Sequence, residues 1–337
     1  MSEITLITRD GAKLSLAAAP TETVLEAAEA AGLFLPAMCH EGSCGLCAAQ
    51  VTQGDYALRG GAREAAPDGA IPLCLCMPQS ALTVELPYPQ SGISHHSVPT
   101  RMAEISGISQ AGSGAVILTL ALRPDPEFGT AADFTPGQYM EVSIPGTEIK
   151  RAYSLTNLPN WDGTLEFLIR LQPGGAFSTW LAQTARPGDM LSLRGPVGRF
   201  VLDETSPRPR VLVGGGCGFA PLLSMLRHLA DFQDMQPTHL IFGANTEAEL
   251  AVAAPLEDLA AQLPNLTVCC AVWHPEAGWE GFSGTAADAL AQYLDGDAGQ
   301  PDIYLCGPPR LMEAVMRVAN ERGVPAARIY SEQVQAR

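Results

Sequence analysis

Four cysteines constrain the N-terminal third of this chain more than any other feature. Cys39, Cys44 and Cys47 follow a Cys-x4-Cys-x2-Cys pattern, and Cys74 comes after a longer interval. This is the ligand spacing of a plant-type [2Fe-2S] cluster. Two glycines in the loop let it turn tightly enough to aim several thiolates inward while backbone N–H groups point at cluster sulfurs. We therefore predict that these four cysteines bind a [2Fe-2S] cluster.

Other interpretations of these cysteines fit less well. Zinc ligands usually come as paired Cys-x2-Cys knuckles, and only one such pair is present. A Rieske-type centre needs two histidine ligands, and only His40 is nearby, so we interpret it as a solvated loop residue. Cys76 competes with Cys74 as fourth ligand. In ferredoxins of this type the last ligand is commonly followed four residues later by proline, a pattern that Cys74 and Pro78 resemble. We predict that Cys76 is a buried small hydrophobe.

The segments around the cysteines predict a small α+β domain over residues 1–88. Two short alternating runs flank Asp10-Gly11, which indicates two strands joined by a hairpin turn. Thr23 and Glu26 form a capping-box pair ahead of a helix over 24–31. The following Pro-, Ser- and Gly-rich residues, 89–99, predict a linker.

Residues 100–205 show short alternating runs with Pro and Gly between them, which predicts a small antiparallel β-barrel. In one of these runs, Arg151 can pair with a pyrophosphate, Tyr153 can lie against an isoalloxazine ring, and Ser154 can hydrogen-bond the flavin edge. Gly175 and Ser178 open an apolar helical stretch and could present donors to phosphate oxygens. Each motif alone is weak, because an Arg-x-Tyr-Ser run is more often part of a half-buried strand than a cofactor clamp. Their order and spacing favour a barrel that binds a flavin.

Residues 206–337 alternate apolar strands with helical stretches, which predicts an open parallel sheet that binds a nucleotide. A Gly-rich turn lies where the first strand meets its helix, so that N–H groups and the helix dipole can hold a pyrophosphate. The candidate residues of this turn are Gly214, Gly215, Gly216, Cys217, Gly218 and, in the first helical turn, Pro221. A Gly-rich turn can also be only a tight corner.

A second candidate segment ends a later strand at the same edge of the sheet. It consists of Cys306, Gly307 and Pro308, and the Cys306 thiol would lie beside a nicotinamide unless it is simply a buried strand residue. After the second strand, residues 243–247 carry Glu247 and no Arg or Lys that could receive a 2′-phosphate. This favours NADH over NADPH.

Charge and hydropathy exclude several classes of partner. Lys and Arg number 20 against 36 Asp and Glu, a formal charge of −16, which argues against nucleic acid. No apolar run approaches the roughly 18 residues of a membrane span, and the N-terminus lacks a signal peptide's features. We expect a soluble cytoplasmic protein with no membrane association. Its acidity could steer docking to a basic protein partner, or simply maintain solubility.

In their order, the three parts resemble the oxygenase reductases of the ferredoxin-NADP reductase superfamily. The segments that carry the resemblance are the four cysteines, residues 151–154, the turn 214–221 and residues 306–309. Within the superfamily, residues 154–160, 165–170, 272–275 and 301–309 are especially similar to reductase components of soluble methane monooxygenases. The resemblance implies that NADH reduces FAD, with Ser154 and Cys306 as catalytic residues. Electrons then pass singly through the cluster to the di-iron hydroxylase of a methane or alkane monooxygenase.

The chain also departs from the family pattern. Cys217 stands where the family usually has Thr, and Ala251 and Val252 replace an aromatic pair. Glu332 matches a family glutamate assigned to cofactor binding, but Val334 replaces the aromatic residue expected after it.

Rival functions would share some or all of these features. A reductase of an aromatic-ring dioxygenase or a phenol or toluene hydroxylase would share every motif. An electron carrier or redox sensor would have the same three parts but would oxidise no NADH, and a structural subunit would leave the cysteine spacing without a purpose. We expect the reductase to be monomeric on its own.

Overall fold

The computed structural model divides into two units, Met1–Pro99 and Thr100–Arg337. The predicted hairpin and capped helix lie at the start of the first unit. The structure describes residues 1–37, 40–42, 45–60, 69–112, 114–253, 255–296 and 299–333, without the side chains of 251–253 and 333. Among these residues, no helix combines the length and apolar character needed to cross a bilayer.

The first unit packs one short helix against a mixed sheet of order β2-β1-β7-β3-β5. Its elements are β1 (Ser2–Ile7), β2 (Lys13–Ala18), α1 (Val24–Ala30), β3 (Ala48–Gln53), β4 (Tyr56–Leu58), β5 (Ile71–Pro72), β6 (Cys76–Pro78) and β7 (Leu82–Glu85). The capping box is confirmed, because the Thr23 side chain accepts from the Glu26 N–H and the Glu26 carboxylate accepts from the Thr23 N–H. The apolar face of the helix is buried in a core that also contains Ile4 and Leu6 of β1.

Part of the predicted linker packs on the first unit. Residues Gln90–Gly92 form a 3-10 turn, Ile93 is buried in the core, and Ser94 exchanges backbone hydrogen bonds with Phe34. The burial of Ile93 and the backbone pairing of Ser94 with Phe34 hold this stretch in place, although its composition alone is typical of a loop. The predicted domain boundaries themselves stay predictions.

The second unit begins with the predicted antiparallel barrel, whose strand order is β11-β10-β13-β8-β9-β12. Its elements are β8 (Thr100–Gln110), β9 (Ala115–Leu122), β10 (Tyr139–Ser143), β11 (Lys150–Ser154), β12 (Thr164–Arg170), α2 (Ala176–Gln183) and β13 (Met190–Val197). An antiparallel bridge between Leu155 and Phe167 joins the two edge strands. Both side chains are fully buried, so the closing bridge is also part of the barrel core.

The predicted open sheet completes the second unit, with parallel strands in the order β17-β16-β15-β14-β18-β19. Its elements are β14 (Arg210–Gly215), α3 (Phe219–Asp231), β15 (Thr238–Ala244), α4 (Leu256–Gln262), β16 (Leu266–Val272), β17 (Phe282–Ser283), α5 (Ala286–Asp295), β18 (Asp302–Gly307), α6 (Pro309–Glu321) and β19 (Ile329–Gln333). Short 3-10 turns include Gly216–Gly218, Glu247–Ala253 and Ala326–Arg328. The fold class is confirmed; the sequence did not predict the two-residue strand β17.

Polar contacts tie helix α3 to the segment that follows β11. Arg227 donates from Nη1 to the Glu166 carboxylate at 2.7 Å and to the Thr156 carbonyl at 2.8 Å. The Ser224 hydroxyl donates to the Asn157 carbonyl at 2.7 Å. These bonds hold the first helix of the parallel sheet against the barrel, so both sheets belong to one unit.

Candidate redox site

Two of the predicted cluster ligands lie in the described part of the first unit. Cys47 and Cys74 are buried, and the Leu73 N–H donates to the Cys47 carbonyl at 3.1 Å, which brings the two ligand segments together. Cys39 and Cys44 lie outside the described residues. Gly42 has φ +68°, and a Cβ there would be 2.5 Å from the Leu75 Cδ1 atom. The loop therefore needs glycine where it closes on residue 75, as expected for a segment folded tightly around a cluster.

Cys76 faces the hydrophobic core of the first unit. It begins β6, where it pairs with Leu58 of β4, and its side chain is fully buried. Burial raises the pKa of its thiol to about 12, so it stays protonated at neutral pH. A protonated thiol in an apolar environment is a poor metal ligand. This environment agrees with the prediction of a buried small hydrophobe.

The Gly-rich turn packs directly against the end of β18. A Cβ on Gly218 would lie 2.2 Å from the Cys306 carbonyl oxygen, and Gly216 has φ +56°. Helix α3 follows with Gly218 as N-cap and no side-chain cap, so its first N–H groups have no side-chain acceptor. Pro221 lies in the first turn of this helix. The turn thus has the close packing and the uncapped helix start that suit a pyrophosphate.

Cys306, Cys217 and Glu332 meet at the carboxyl edge of the sheet. Cys306 is fully buried, and Glu332 is its partner in the β18–β19 register. Burial, Glu332 and Cys217 together raise the pKa of the Cys306 thiol well above its usual value, and burial raises that of Cys217 to about 11. Both thiols are therefore neutral groups rather than nucleophiles. Gly307 packs against Gly215 behind them, and Pro308 is the N-cap of α6.

Ser154 brings the barrel into the same site, because its hydroxyl is close enough to the Glu332 carboxylate to lower the pKa of that group. Burial has the larger effect and raises the pKa of Glu332 to about 8. A Cβ on Gly198 would lie 3.1 Å from the Tyr139 ring and 3.5 Å from Glu332 Oε1, so the ring of Tyr139 also lies beside this group. The site thus contains a carboxyl group that can hold or release a proton near neutral pH.

Tyr153 is half-buried between the barrel and the Gly-rich turn. Its ring lies 5.3 Å from that of Phe177 in α2, and burial raises the pKa of its phenol. The Cys217 thiol is close enough to raise that pKa further, whereas Arg151, two residues earlier on β11, lowers it. Arg151 itself donates to the Lys150 carbonyl at 2.7 Å. The Tyr153 ring, the Arg151 cation and the Cys217 thiol therefore lie near one another, and their roles in flavin binding stay predictions.

The start of α2 differs in detail from the prediction. The Gly175 N–H is already used, because it donates to the Gln172 carbonyl at 3.0 Å. The buried Ser178 hydroxyl accepts from the Gln172 N–H at 2.9 Å and so holds the preceding loop. Its hydroxyl proton can still be donated, and the helix start has no side-chain cap. Phosphate binding by Gly175 and Ser178 stays a prediction, with the free donors on the helix's first turn rather than on Gly175.

Arg170 and Glu249 form an ion pair beside the Gly-rich turn that the sequence did not predict. Arg170 Nη2 lies 3.4 Å from Glu249 Oε1, and Arg170 Nη1 would be 3.6 Å from a Cβ on Gly216. Glu249 also accepts from the Asn245 N–H at 3.0 Å. Spacing gave no signal for this pair, since 79 residues separate its members. By contrast Glu247, the carboxylate singled out from sequence, accepts from the Glu276 N–H at 2.8 Å.

The chemistry of the site follows from these groups. An aromatic ring, an uncapped helix start and a protonatable carboxyl suit a flavin and a dinucleotide, and the buried cysteines with a glycine-dependent loop suit a [2Fe-2S] cluster. The fold and site are those of a three-part iron–sulfur flavoprotein oxidoreductase.

Comparisons with known proteins agree with this class. Three family models match: a 2Fe-2S iron-sulfur cluster binding domain at 7–79, an oxidoreductase FAD-binding domain at 114–202 and an oxidoreductase NAD-binding domain at 212–317. The chain is 33% identical over 338 residues to the toluate 1,2-dioxygenase electron transfer component of Pseudomonas putida, covering 97% of this chain and 96% of that protein. It is 37% identical over 303 residues to methane monooxygenase component C of Methylosinus trichosporium, covering 88% of each.

A solved structure shares the whole architecture. The ferredoxin reductase in carbazole 1,9a-dioxygenase superposes with a TM-score of 0.71 at 25% identity, over 98% of both chains. The chain belongs to the family of FAD-, NAD- and [2Fe-2S]-dependent reductase components that supply electrons to multicomponent oxygenases.

We predict that Cys74 and Cys76 differ sharply when each is replaced by alanine. Cys74→Ala should remove a cluster ligand and abolish stable cluster binding, whereas Cys76→Ala removes only a buried protonated thiol and should retain the cluster. Iron content and the electron paramagnetic resonance spectrum of the reduced protein, purified without air, measure the difference. If Cys76→Ala loses the cluster and Cys74→Ala retains it, Cys76 is the fourth ligand and Cys74 is the buried non-ligand.

We predict that Glu332 makes stability depend on pH. Its ordinary pKa of 4.5 rises to about 8 in the folded protein. The folded state therefore keeps a proton that the unfolded state loses, and this stabilising contribution disappears as the pH rises from about 4.5 to about 8. The free energy of unfolding should fall less over this window in Glu332→Gln than in the wild type. Urea denaturation at several pH values tests this, with exposed Glu313→Gln as control; identical profiles for wild type and Glu332→Gln would refute it.

Proposed function

We propose that this chain is the NADH-dependent reductase of a methane or alkane monooxygenase and passes electrons to its di-iron hydroxylase. The observation that carries the reductase function is the meeting of Ser154 and Tyr153 of the barrel with Cys217, Cys306 and Glu332 of the parallel sheet. A flavin and a nicotinamide that react with each other must both contact such a place.

The residues have separate tasks in this proposal. When bound, FAD and the [2Fe-2S] cluster would allow the two electrons of NADH to be passed on one at a time. Tyr153 packs against the flavin ring, and Arg151 and the start of α2 bind its phosphates. The turn 214–218 binds the NADH pyrophosphate. Ser154 and Cys306 orient the reacting rings, and neutral Cys306 excludes water from them. Glu332 holds a proton next to the Ser154 Oγ atom.

The partner is the finer part of the proposal. The 37% identity to methane monooxygenase component C exceeds the 33% identity to the toluate dioxygenase component, which supports a di-iron hydroxylase. The alternative is the reductase of an aromatic-ring dioxygenase or of a phenol or toluene hydroxylase. The toluate match supports it by covering 97% of the chain against 88%. The cytoplasmic location and the monomeric state stay predictions.

We predict a clear preference for the di-iron partner in a reconstituted assay. With limiting reductase and saturating NADH, the hydroxylase of soluble methane monooxygenase should give a kcat/KM about tenfold higher than an aromatic-ring dioxygenase, equivalent to about 1.4 kcal/mol of recognition. The initial rate of product formation as the oxygenase concentration is varied is the measurement, and the Cys74→Ala protein is the inactive control. A preference for the aromatic-ring dioxygenase would support the alternative instead.

We also propose that Glu249 selects NADH over NADPH. Its carboxylate lies at the end of β15, where an acidic side chain accepts from a ribose 2′-hydroxyl and repels a 2′-phosphate. Its ion pair also keeps Arg170 away from any phosphate at that position.

We predict that Glu249→Gln lowers the ratio of kcat/KM for NADH to that for NADPH by about tenfold, the effect expected for one charge-assisted hydrogen bond. Steady-state reduction of ferricyanide with each donor measures the ratio. Glu247→Gln, two residues away, is the matched control and should leave the ratio unchanged. An effect of Glu247→Gln equal to that of Glu249→Gln would reassign the selectivity.

A further inference from the structure

Trp273 presents an aromatic ring to solvent at the functional edge of the parallel sheet. It directly follows β16, and 55% of its surface is exposed. The ring stacks on that of His274, with centroids 4.4 Å apart and planes 27° apart. Because His274 holds one face of the ring, the exposed part of Trp273 has a defined orientation in which it can stack on a flat ligand.

The position of this ring relative to Glu249 suggests which ligand. The Trp273 N–H donates to the Ala244 carbonyl at 3.0 Å, and the His274 N–H donates to the Asn245 carbonyl at 2.9 Å. Asn245 in turn donates its N–H to Glu249. The ring therefore belongs to the strand next to the proposed ribose-binding carboxylate. In NADH, adenine is bonded directly to that ribose, so whatever lies beside Glu249 must accommodate a flat purine.

Neither the sequence of the segment after β15 nor Trp279 offers a second open aromatic ring. The segment after β15, residues 243–253, contains no aromatic residue. Trp279, in the same loop as Trp273, is occupied by packing: its Nε1–H donates to the Phe282 carbonyl at 3.2 Å, and its ring lies 2.3 Å from where a Cβ on Gly281 would be. Trp279 therefore packs within the fold, whereas the ring of Trp273 is exposed.

We propose that Trp273, held in orientation by His274, stacks on the adenine of NADH. This inference rests on the proposed function, because it assigns the adenine end of the same dinucleotide. The ring contributes to binding and not to the redox chemistry, since adenine is remote from the nicotinamide. Stacking of a base on an aromatic side chain contributes about 1–3 kcal/mol, so its loss should weaken binding about tenfold.

The test compares donors with and without adenine. Reduced nicotinamide mononucleotide carries the reacting ring of NADH but lacks the adenosine half. In the holoenzyme, Trp273→Ala should raise the KM for NADH about tenfold and leave kcat/KM for the mononucleotide unchanged, while Trp273→Phe restores most of the affinity. Titration calorimetry with ADP-ribose, which binds without turnover, should show the same tenfold loss. Trp161→Ala is the matched control, because Trp161 is 89% exposed in the loop between β11 and β12.

Two results would overturn the proposal: an unchanged ADP-ribose affinity in Trp273→Ala, or an equal loss with both donors, which would indicate a structural role for the ring. Failure of NADH dependence, the part of the proposed function on which this inference rests, looks different, since wild-type protein would then oxidise neither donor; a change of oxygenase partner alone would leave the adenine assignment intact. A loss of hydroxylase coupling in Trp273→Ala with normal ADP-ribose binding would assign the ring to protein docking and also reject adenine.

Discussion

The close packing of Gly218 against the Cys306 carbonyl is the constraint on which the second unit's site depends. A side chain at residue 218 would need space that the backbone of residue 306 already occupies, at 2.2 Å. This contact places Cys217 beside Cys306, and the β18–β19 register adds Glu332. Ser154 of the barrel then completes the group, since its hydroxyl is close enough to lower the pKa of Glu332. One missing Cβ thus allows residues from four separate stretches of chain to share a single small volume.

Local sequence signals predicted most of the architecture because each has a local physical cause. The capping box at Thr23 and Glu26, the Gly-rich turn after β14 and the alternation of β12 all depend on neighbours within a few residues. The ion pair between Arg170 and Glu249 could not be predicted in this way, since it exists only because the barrel packs against the parallel sheet. The sequence likewise did not predict that the Gly175 N–H would donate to the Gln172 carbonyl within a turn.

The cysteines show how environment divides chemically identical side chains. The pattern of Cys74 and Pro78 separated Cys74 from Cys76 in the prediction, and in the structure burial raises the pKa of the Cys76 thiol to about 12. Beside Cys74, Arg59 holds the start of α1 through a bidentate pair with Glu26 at 2.6 Å, and its N–H donates to the Leu75 carbonyl. The ligand segment is therefore anchored on both sides by contacts that do not involve iron.

The bonds from Arg227 and Ser224 to residues 156 and 157 have a consequence for how such reductases recombine. Helix α3 recognises the barrel through backbone carbonyls, which any sequence supplies, and through one carboxylate, Glu166. A chimera that joins this barrel to the nucleotide-binding sheet of a relative would keep these polar contacts if an arginine and a small hydroxyl residue stand at the matching helical positions. It would also have to match the apolar core that Ala115, Leu168 and Phe200 share with the helix. The polar part of this interface therefore constrains the sequence of the barrel little, whereas the apolar part constrains it at each buried position.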